Sequence, residues 1–336
     1  MAKKLDRQHQ LALIVEGGGF KSAFTAGIID SFIINGFDPF QLYLGISGGA
    51  MNITSFISRQ YKRNIKIISA MSENTNFISI IRFLKGGNYM ELKYLLEVTS
   101  KEFPFDIDAG NKHIKDADFK VVVTNVINGN PSYLSVKKYG WLKTMEATGS
   151  LPIATRGYCE IAGGKYIDGG LSDPLPVKRV YDWGYRNIVL LRTHPNHMEP
   201  DWNLESLYGS LFYRNNPKLQ KLIMRNDKIY SRELQYISNP PEDLKLIQLV
   251  PETDLKCGVI SSDLNNIQMD YRYGLEMGLD AMPELRTLAA KGENMTTKTK
   301  KELMEMQVVQ AEAIRILIAK YEDLETIHNE SVNFAY

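Results

Sequence analysis

Short apolar runs, separated by glycine-rich turns and longer amphipathic stretches, set the pattern of this chain. Leu11–Val15, Leu42–Gly45, Phe119–Val126, Tyr133–Val136, Asn187–Arg192 and Leu244–Val250 are short and rich in branched residues, which predicts strands. Helical patterning falls between several of them, over Ser22 to Ile34 and from Ala50 onward. Strands alternating with helices predict a layered sheet whose ligands bind at the carboxyl ends of the strands. Residues 56 to 105 read as helical, and the stretch Phe77–Gly87 predicts a core helix, with a groove wall or lid as the alternative. Asp201 to Tyr236 reads as charged helix, and Lys291–Thr297 as a linker. Leu303, Met306, Val309, Ala313 and Ile316 then recur at helical spacing, predicting an amphipathic helix at about 298–327. Its apolar stripe is expected to pack on the core or on a second copy of the chain. No internal repeat interrupts the pattern.

Three turns carry candidate chemistry. Gly45-Ile46-Ser47-Gly48-Gly49 lies between the apolar run Leu42–Leu44 and a helix start. Strand, tight G-x-S-x-G turn and helix make a nucleophile elbow, in which side chains at Gly45 or Gly49 would collide with the crossing backbone. The Ser47 hydroxyl would then face the positive end of a helix. Glu16-Gly17-Gly18-Gly19-Phe20-Lys21 follows the first strand and exposes a row of backbone N–H groups that suits an anion, with the charge of Lys21 nearby. A dinucleotide fingerprint is the competing reading, but Ser22 stands at its third glycine and a ribose-binding acid is missing. Tyr166-Ile167-Asp168-Gly169-Gly170 offers a carboxylate in a tight turn.

Taken together and in this order, the stretches Gly17–Lys21, Gly45–Gly49 and Asp168–Gly170 resemble the patatin-like phospholipase family, especially its bacterial cytoplasmic members. Ala147–Ala154 is similar to the small-residue and proline segment that precedes the family's aspartate. The resemblance covers about residues 10 to 200. Glu16, Ser22 and Asp173 depart from it, standing where many members have Asp, Gly and Asn. The resemblance implies an α/β fold: a three-layer α/β/α sandwich with a mainly parallel central sheet and a helical C-terminal extension. It implies a catalytic domain at 1–200 and an associated, largely helical region at 201–336. It also implies a Ser47–Asp168 dyad, an oxyanion loop at Gly17, Gly18, Gly19 and Lys21, and turns kept by Gly45, Gly48, Gly49, Gly169 and Gly170, with no metal or organic cofactor. The expected activity is hydrolysis of a lipid or acyl ester, with an acyltransferase or a non-catalytic acyl-lipid sensor as alternatives.

The chemistry of the dyad follows from the residue types. Serine is a poor nucleophile at its own pKa and needs a base beside it. A carboxylate can take the proton during attack and return it to the leaving alcohol, and burial makes it a better base. Of five histidines, His194 and His197 follow a strand-like run, so the order Ser47…Asp168…His194 leaves a triad open. The same two histidines lack a clear third ligand for a metal.

Composition narrows the classes further. The 336 residues are 44% apolar and 24% charged, ordinary for a folded chain. A net charge of +1 argues against bulk binding of nucleic acid. Cys159 and Cys257 are far apart and predict buried thiols. The basic N-terminus leads into a strand and has no signal-peptide pattern, and no run approaches a membrane span. A cytoplasmic protein is expected, peripheral to a membrane at most, with a lipid substrate and a homo-oligomer through the C-terminal helix as candidate partners.

Overall fold

A computed structural model describes residues 7–152, 154–196 and 216–290. Five strands run parallel: β1 (Leu11–Val15), β2 (Phe40–Gly45), β3 (Asp118–Asn125), β7 (Asn187–Leu191) and β8 (Lys245–Leu249). Three more, β4 (Pro131–Ser135), β5 (Cys159–Ile161) and β6 (Gly164–Asp168), pair antiparallel. The order across the sheet is β5-β6-β3-β2-β1-β7-β8, with β4 also on β3. β1 is central and buried at every residue, which is why it reads as a continuous apolar run.

Helices cover both faces. α1 (Ser22–Ile34) follows β1, and α2 (Gly48–Ile57) follows β2. α3 (Arg63–Ser72), α4 (Ile80–Leu84), α5 (Leu92–Lys101) and α6 (Ile107–His113) fill the long connection to β3. α7 (Val136–Tyr139) and α8 (Trp141–Thr148) precede β5, and α9 (Val177–Asp182) precedes β7. Two helices, Pro217–Ile223 and Asn226–Ser238, lead into β8, and a long helix, Leu264–Ala289, follows it. On one face, Ala12, Ile14, Leu42, Leu44, Ile188 and Leu190 pack with Val177 and Val180 of α9 and with Tyr230 and Ile237. On the other, Phe32 of α1 and Phe56 of α2 form an aromatic cluster with Phe40 and Tyr43. The result is a three-layer sandwich. α1 is buried from Ser22 to Phe32, because the Leu264–Ala289 helix crosses it closely. A Cβ on Gly27 would lie 2.0 Å from the Tyr271 carbonyl oxygen, and one on Gly274 would lie 1.9 Å from that of Phe24. The described residues up to Gly278 form one compact unit, and a second begins at Leu279.

Two elements differ from the sequence reading. β5 and β6 form a hairpin across Ala162 and Gly163, whose φ values of 49° and 79° fit a two-residue turn of the primed type. The three-residue β5 is too short to leave a pattern. The stretch Phe77–Gly87 is not a core helix. Phe77 is buried, but Ile80, Ile81 and Leu84 are 56%, 64% and 77% exposed on the five-residue α4. The chain doubles back so that Ile78 bridges Met90, and the Arg82 guanidinium clamps the neck through the carbonyls of Asn76, Phe77, Asn88 and Tyr89. Cys159 and Cys257 are buried free thiols. No helix among the described residues is long and apolar enough to cross a membrane. His197, residues 201–215, the linker at 291–297 and the amphipathic helix at 298–327 lie outside the described residues.

Candidate active site

The sheet itself delivers Ser47 and Asp168 to one place. β4 occupies one edge of β3, so β2 and β6 share the other. β2 leaves that edge where Gly45 pairs Val121, and antiparallel β6 arrives where Asp168 pairs Val123. The two strand ends therefore meet two residues apart on β3. Ser47 turns sharply out of β2 with φ 51° and ψ −127°, a conformation costing roughly 1–3 kcal/mol for a residue with a Cβ. The glycines around it permit the turn. A Cβ on Gly45 would lie 2.4 Å from Ala50 Cα, and one on Gly49 would lie 2.4 Å from the Glu16 carbonyl oxygen. The Ser47 N–H donates to Thr148 Oγ1 at 2.9 Å, and that hydroxyl donates to the Val122 carbonyl at 2.7 Å. Ser47 is 8% exposed and caps the N-terminus of α2, whose dipole favours a developing alkoxide.

Asp168 is 3% exposed. Its Oδ1 accepts the Gly170 N–H at 2.8 Å, and its backbone is fixed by Thr124 Oγ1 and the Ser150 carbonyl. Its Oδ2 is buried without a hydrogen-bond partner. The Ser47 hydroxyl is close enough to stabilise the carboxylate, but no bond of ordinary geometry has formed. Such bonds are often loose before substrate arrives. Burial pushes the carboxyl up to about 6, against the smaller pulls of Ser47 and the Gly170 N–H.

Gly17, Gly18 and Gly19 line the same pocket of about 100 Å³ as Ser47, Asp168 and Gly170. Among the described residues, their N–H groups donate no backbone hydrogen bond, nor does that of Gly48. The loop is held from behind. Thr193 Oγ1 donates to the Gly17 carbonyl at 2.6 Å, and the Val259 carbonyl accepts the Phe20 N–H at 3.1 Å. Left-handed backbone falls at Gly19, with φ 55°, while Gly18 lies at φ 161° and ψ 13°. A Cβ on Gly19 would lie 1.8 Å from the Val259 carbonyl oxygen. Gly19→Ala should therefore cost more than about 2 kcal/mol of stability in urea melts. Gly18→Val meets side chains and no backbone: its Cβ would lie 2.8 Å from Thr193 Oγ1, 3.1 Å from Thr193 Cβ and 3.2 Å from Lys21 Cβ. Its folded fraction should lose kcat by the equivalent of about 2.7–4 kcal/mol, with KM little changed. Normal turnover in that variant would exclude an oxyanion role for the loop.

Lys21 does not line this pocket; its charge faces Glu16, Asp254 and Asp270, and burial lowers its pKa. Glu16 is buried behind the loop. It accepts from Thr193 N at 2.6 Å and Tyr230 OH at 2.9 Å, and meets His194 Nδ1 at 3.0 Å. Burial alone would raise its pKa, but His194, Arg192 and the Thr193 N–H hold it below the ordinary range. His194 lines the pocket with its Nδ1 committed to Glu16, and among the described residues no hydrogen bond joins it to Ser47 or Asp168. Asn226 and Tyr230 line the pocket too, although no motif marks them in the sequence. On the other side of Ser47, a cavity of about 150 Å³ opens between α2, α3, α5 and α8, lined mainly by apolar side chains. No group of three or more His, Cys, Asp or Glu among the described residues could hold a metal ion.

Residues 13–181 match the sequence profile of patatin-like phospholipase. The chain belongs to the patatin-like phospholipase family. That membership places it with the lipid hydrolases at the level of the family. Residues 216–289 match DUF6363, a domain of unknown function. A relative, the uncharacterized protein YjjU of Escherichia coli (strain K12), is 31% identical over 270 residues, 79% of this chain and 75% of YjjU. Among solved structures, VipD from Legionella pneumophila aligns over 98% of this chain and 82% of its own, at 13% identity and a TM-score of 0.40. A chain from the complex of SpcU with ExoU of Pseudomonas aeruginosa aligns over 68% of this chain and 54% of its own, at 14% identity and a TM-score of 0.29.

Proposed function

We propose that this patatin-like protein is a serine acyl hydrolase of lipid esters, using a Ser47–Asp168 dyad. The observation that carries the reading is the buried, unpartnered Asp168 Oδ2 beside the Ser47 hydroxyl at the meeting point of two strands. In this scheme Ser47 Oγ attacks the ester carbonyl while Asp168 takes its proton. The free N–H groups of Gly18, Gly19 and Gly48 receive the oxyanion. Asp168 returns the proton to the leaving alcohol, then accepts one from the water that attacks the acyl-enzyme and passes it to Ser47 Oγ as the carboxylic acid departs. No metal or organic cofactor takes part. The reacting groups lie within residues 1–200, the proposed catalytic part, with 201–336 as its associated region. A fluorophosphonate probe tests the reading: it should label the peptide containing Ser47 and inactivate hydrolysis of p-nitrophenyl esters. Labelling that persists in Ser47→Ala would overturn it.

The apolar cavity beside Ser47 favours an acyl chain as the group bound. It follows α2 from Ser47 past Met51 and Thr54 toward Arg63, whose guanidinium bonds Ser55. Eight residues of helix from Ser47 to Ser55 span about 12 Å. An apolar cavity of about 150 Å³ holds a group the size of benzene, so medium-length acyl chains should be preferred. Leu95→Trp places more volume in the cavity wall. It should lower turnover of the p-nitrophenyl octanoate ester at least about tenfold relative to the acetate. An unchanged chain-length profile would place the acyl chain elsewhere.

A further inference from the structure

Three side chains on one helix reach three parts of the proposed active site. In the Asn226–Ser238 helix, Asn226, Tyr230 and Glu233 are spaced four and three residues apart and so share a face. Asn226 Nδ2 donates to the carbonyls of Gly170 and Leu171, at 2.8 and 3.1 Å, just beyond Asp168. Tyr230 OH donates to Glu16 Oε1 at 2.9 Å, at the root of the glycine loop. Glu233 Oε2 accepts the Leu175 N–H at 2.6 Å, where the Asp168 turn leads toward α9. Asn226 is 4% exposed and Tyr230 2%. Further along, the Val259 carbonyl accepts the Phe20 N–H and closes the far side of the glycine loop.

All of these residues lie in the segment that matches a domain of unknown function. None comes from the patatin-like segment at 13–181. Yet Asn226, Tyr230 and Val259 line the pocket that holds Ser47 and Asp168. The hydrogen bonds are divided: among the described residues, Asn226 bonds the turn that carries the base, and Tyr230 bonds Glu16 and Arg192 behind the glycine loop. Each turn is short and glycine-rich, and its own strand ends one or two residues away. A buried donor bonded to the turn's carbonyl fixes its position where the strand no longer can.

We propose that the segment 216–278 is the third wall of the active site, with Asn226 and Tyr230 as positioning residues that hold the Asp168 turn and the glycine loop in register. This rests on the serine-hydrolase reading for its kinetic consequences, but not for its structural ones. A displacement of about 1 Å at a reacting group can cost on the order of 10²-fold in rate. Asn226→Asp keeps the size of the side chain but replaces the donor by an acceptor facing two carbonyls. It also adds negative charge beside Asp168, which makes that carboxyl harder to ionise. Tyr230→Phe keeps the ring and loses only the hydroxyl.

The test uses the full chain carrying Asn226→Asp, Asn226→Ala or Tyr230→Phe. Steady-state kinetics on a p-nitrophenyl ester and hydrogen exchange by mass spectrometry are measured on each, after melting curves establish that it is folded. Asn226→Asp and Asn226→Ala should lower kcat between about 10- and 100-fold, with KM within about twofold. The acid limb of the Asn226→Asp pH profile should move upward. Tyr230→Phe should lower kcat by about tenfold without moving that limb. Exchange should separate the two sites. Both Asn226 variants should deprotect the peptide around 168–173 and leave that around 16–21 unchanged, and Tyr230→Phe should do the reverse. Folded variants with native exchange and native kcat would overturn the inference, as would one diffuse rise in exchange shared by all three. If native protein shows no Ser47-dependent probe labelling, the hydrolase reading fails, and the crossed exchange pattern still decides whether this helix positions the two turns.

Discussion

Ser47→Ala should abolish ester hydrolysis and fluorophosphonate labelling, with kcat falling at least about 10⁴-fold, while the protein melts within about 2 °C of native. The two halves of this result have separate causes. The hydroxyl sits both at the N-terminus of α2 and beside the Asp168 carboxylate, and alanine leaves no nucleophilic atom there. The fold does not depend on it. The Ser47 contact that fixes the elbow is its backbone N–H to Thr148 Oγ1, which alanine keeps. The strained φ of 51° is imposed by the crossing of Gly45 and Gly49 with their neighbours, and Ala162 already adopts φ 49° elsewhere in the chain. Undiminished hydrolysis in a folded Ser47→Ala protein would remove the elbow from the mechanism.

The elbow was legible because its constraint is local. Gly45, Ser47 and Gly49 must follow one another in a fixed pattern for the backbone to cross itself, so the pattern is written in five consecutive residues. The glycine loop was legible for the same reason, although Lys21 does not line the pocket. Asp168 was half legible: its turn could be read, but the hairpin that brings it to the edge of β3 could not, because β5 is three residues long. What the sequence hid was whatever acts at a distance. Thr148, Thr193, Asn226 and Tyr230 are single polar residues, and only the packing of α8, of the segment after β7 and of the Asn226–Ser238 helix against the strand ends gives them partners. Ile80, Ile81 and Leu84 misled the pattern reading because an exposed apolar turn and a core helix share the same composition.

Asp168→Asn should lower kcat/KM by about 10²–10⁴-fold and raise the melting temperature at alkaline pH. Asparagine keeps the shape of the side chain and can still accept the Gly170 N–H, but it cannot take a proton from Ser47. The stability effect has the opposite sign because burial pushes the carboxyl up from 3.8 to about 6. An acid whose folded pKa is raised favours folding when protonated. That contribution is present below pH 3.8 and is lost as pH rises through about 6. At pH 8 the native protein carries a buried carboxylate with one unpartnered oxygen, and the variant does not. The melting-temperature gap should therefore open between about pH 4 and pH 7 and close below it. Over the same range the kcat/KM of native protein should rise with pH and level off above about 6, since only the carboxylate can act as base. His194→Ala should cost far less activity, because the ring is bound to Glu16 behind the loop. Should folded His194→Ala prove as inactive as Asp168→Asn, or should native activity rise through a pH well above 6, the base would be a Ser–Asp–His relay and the dyad would fall.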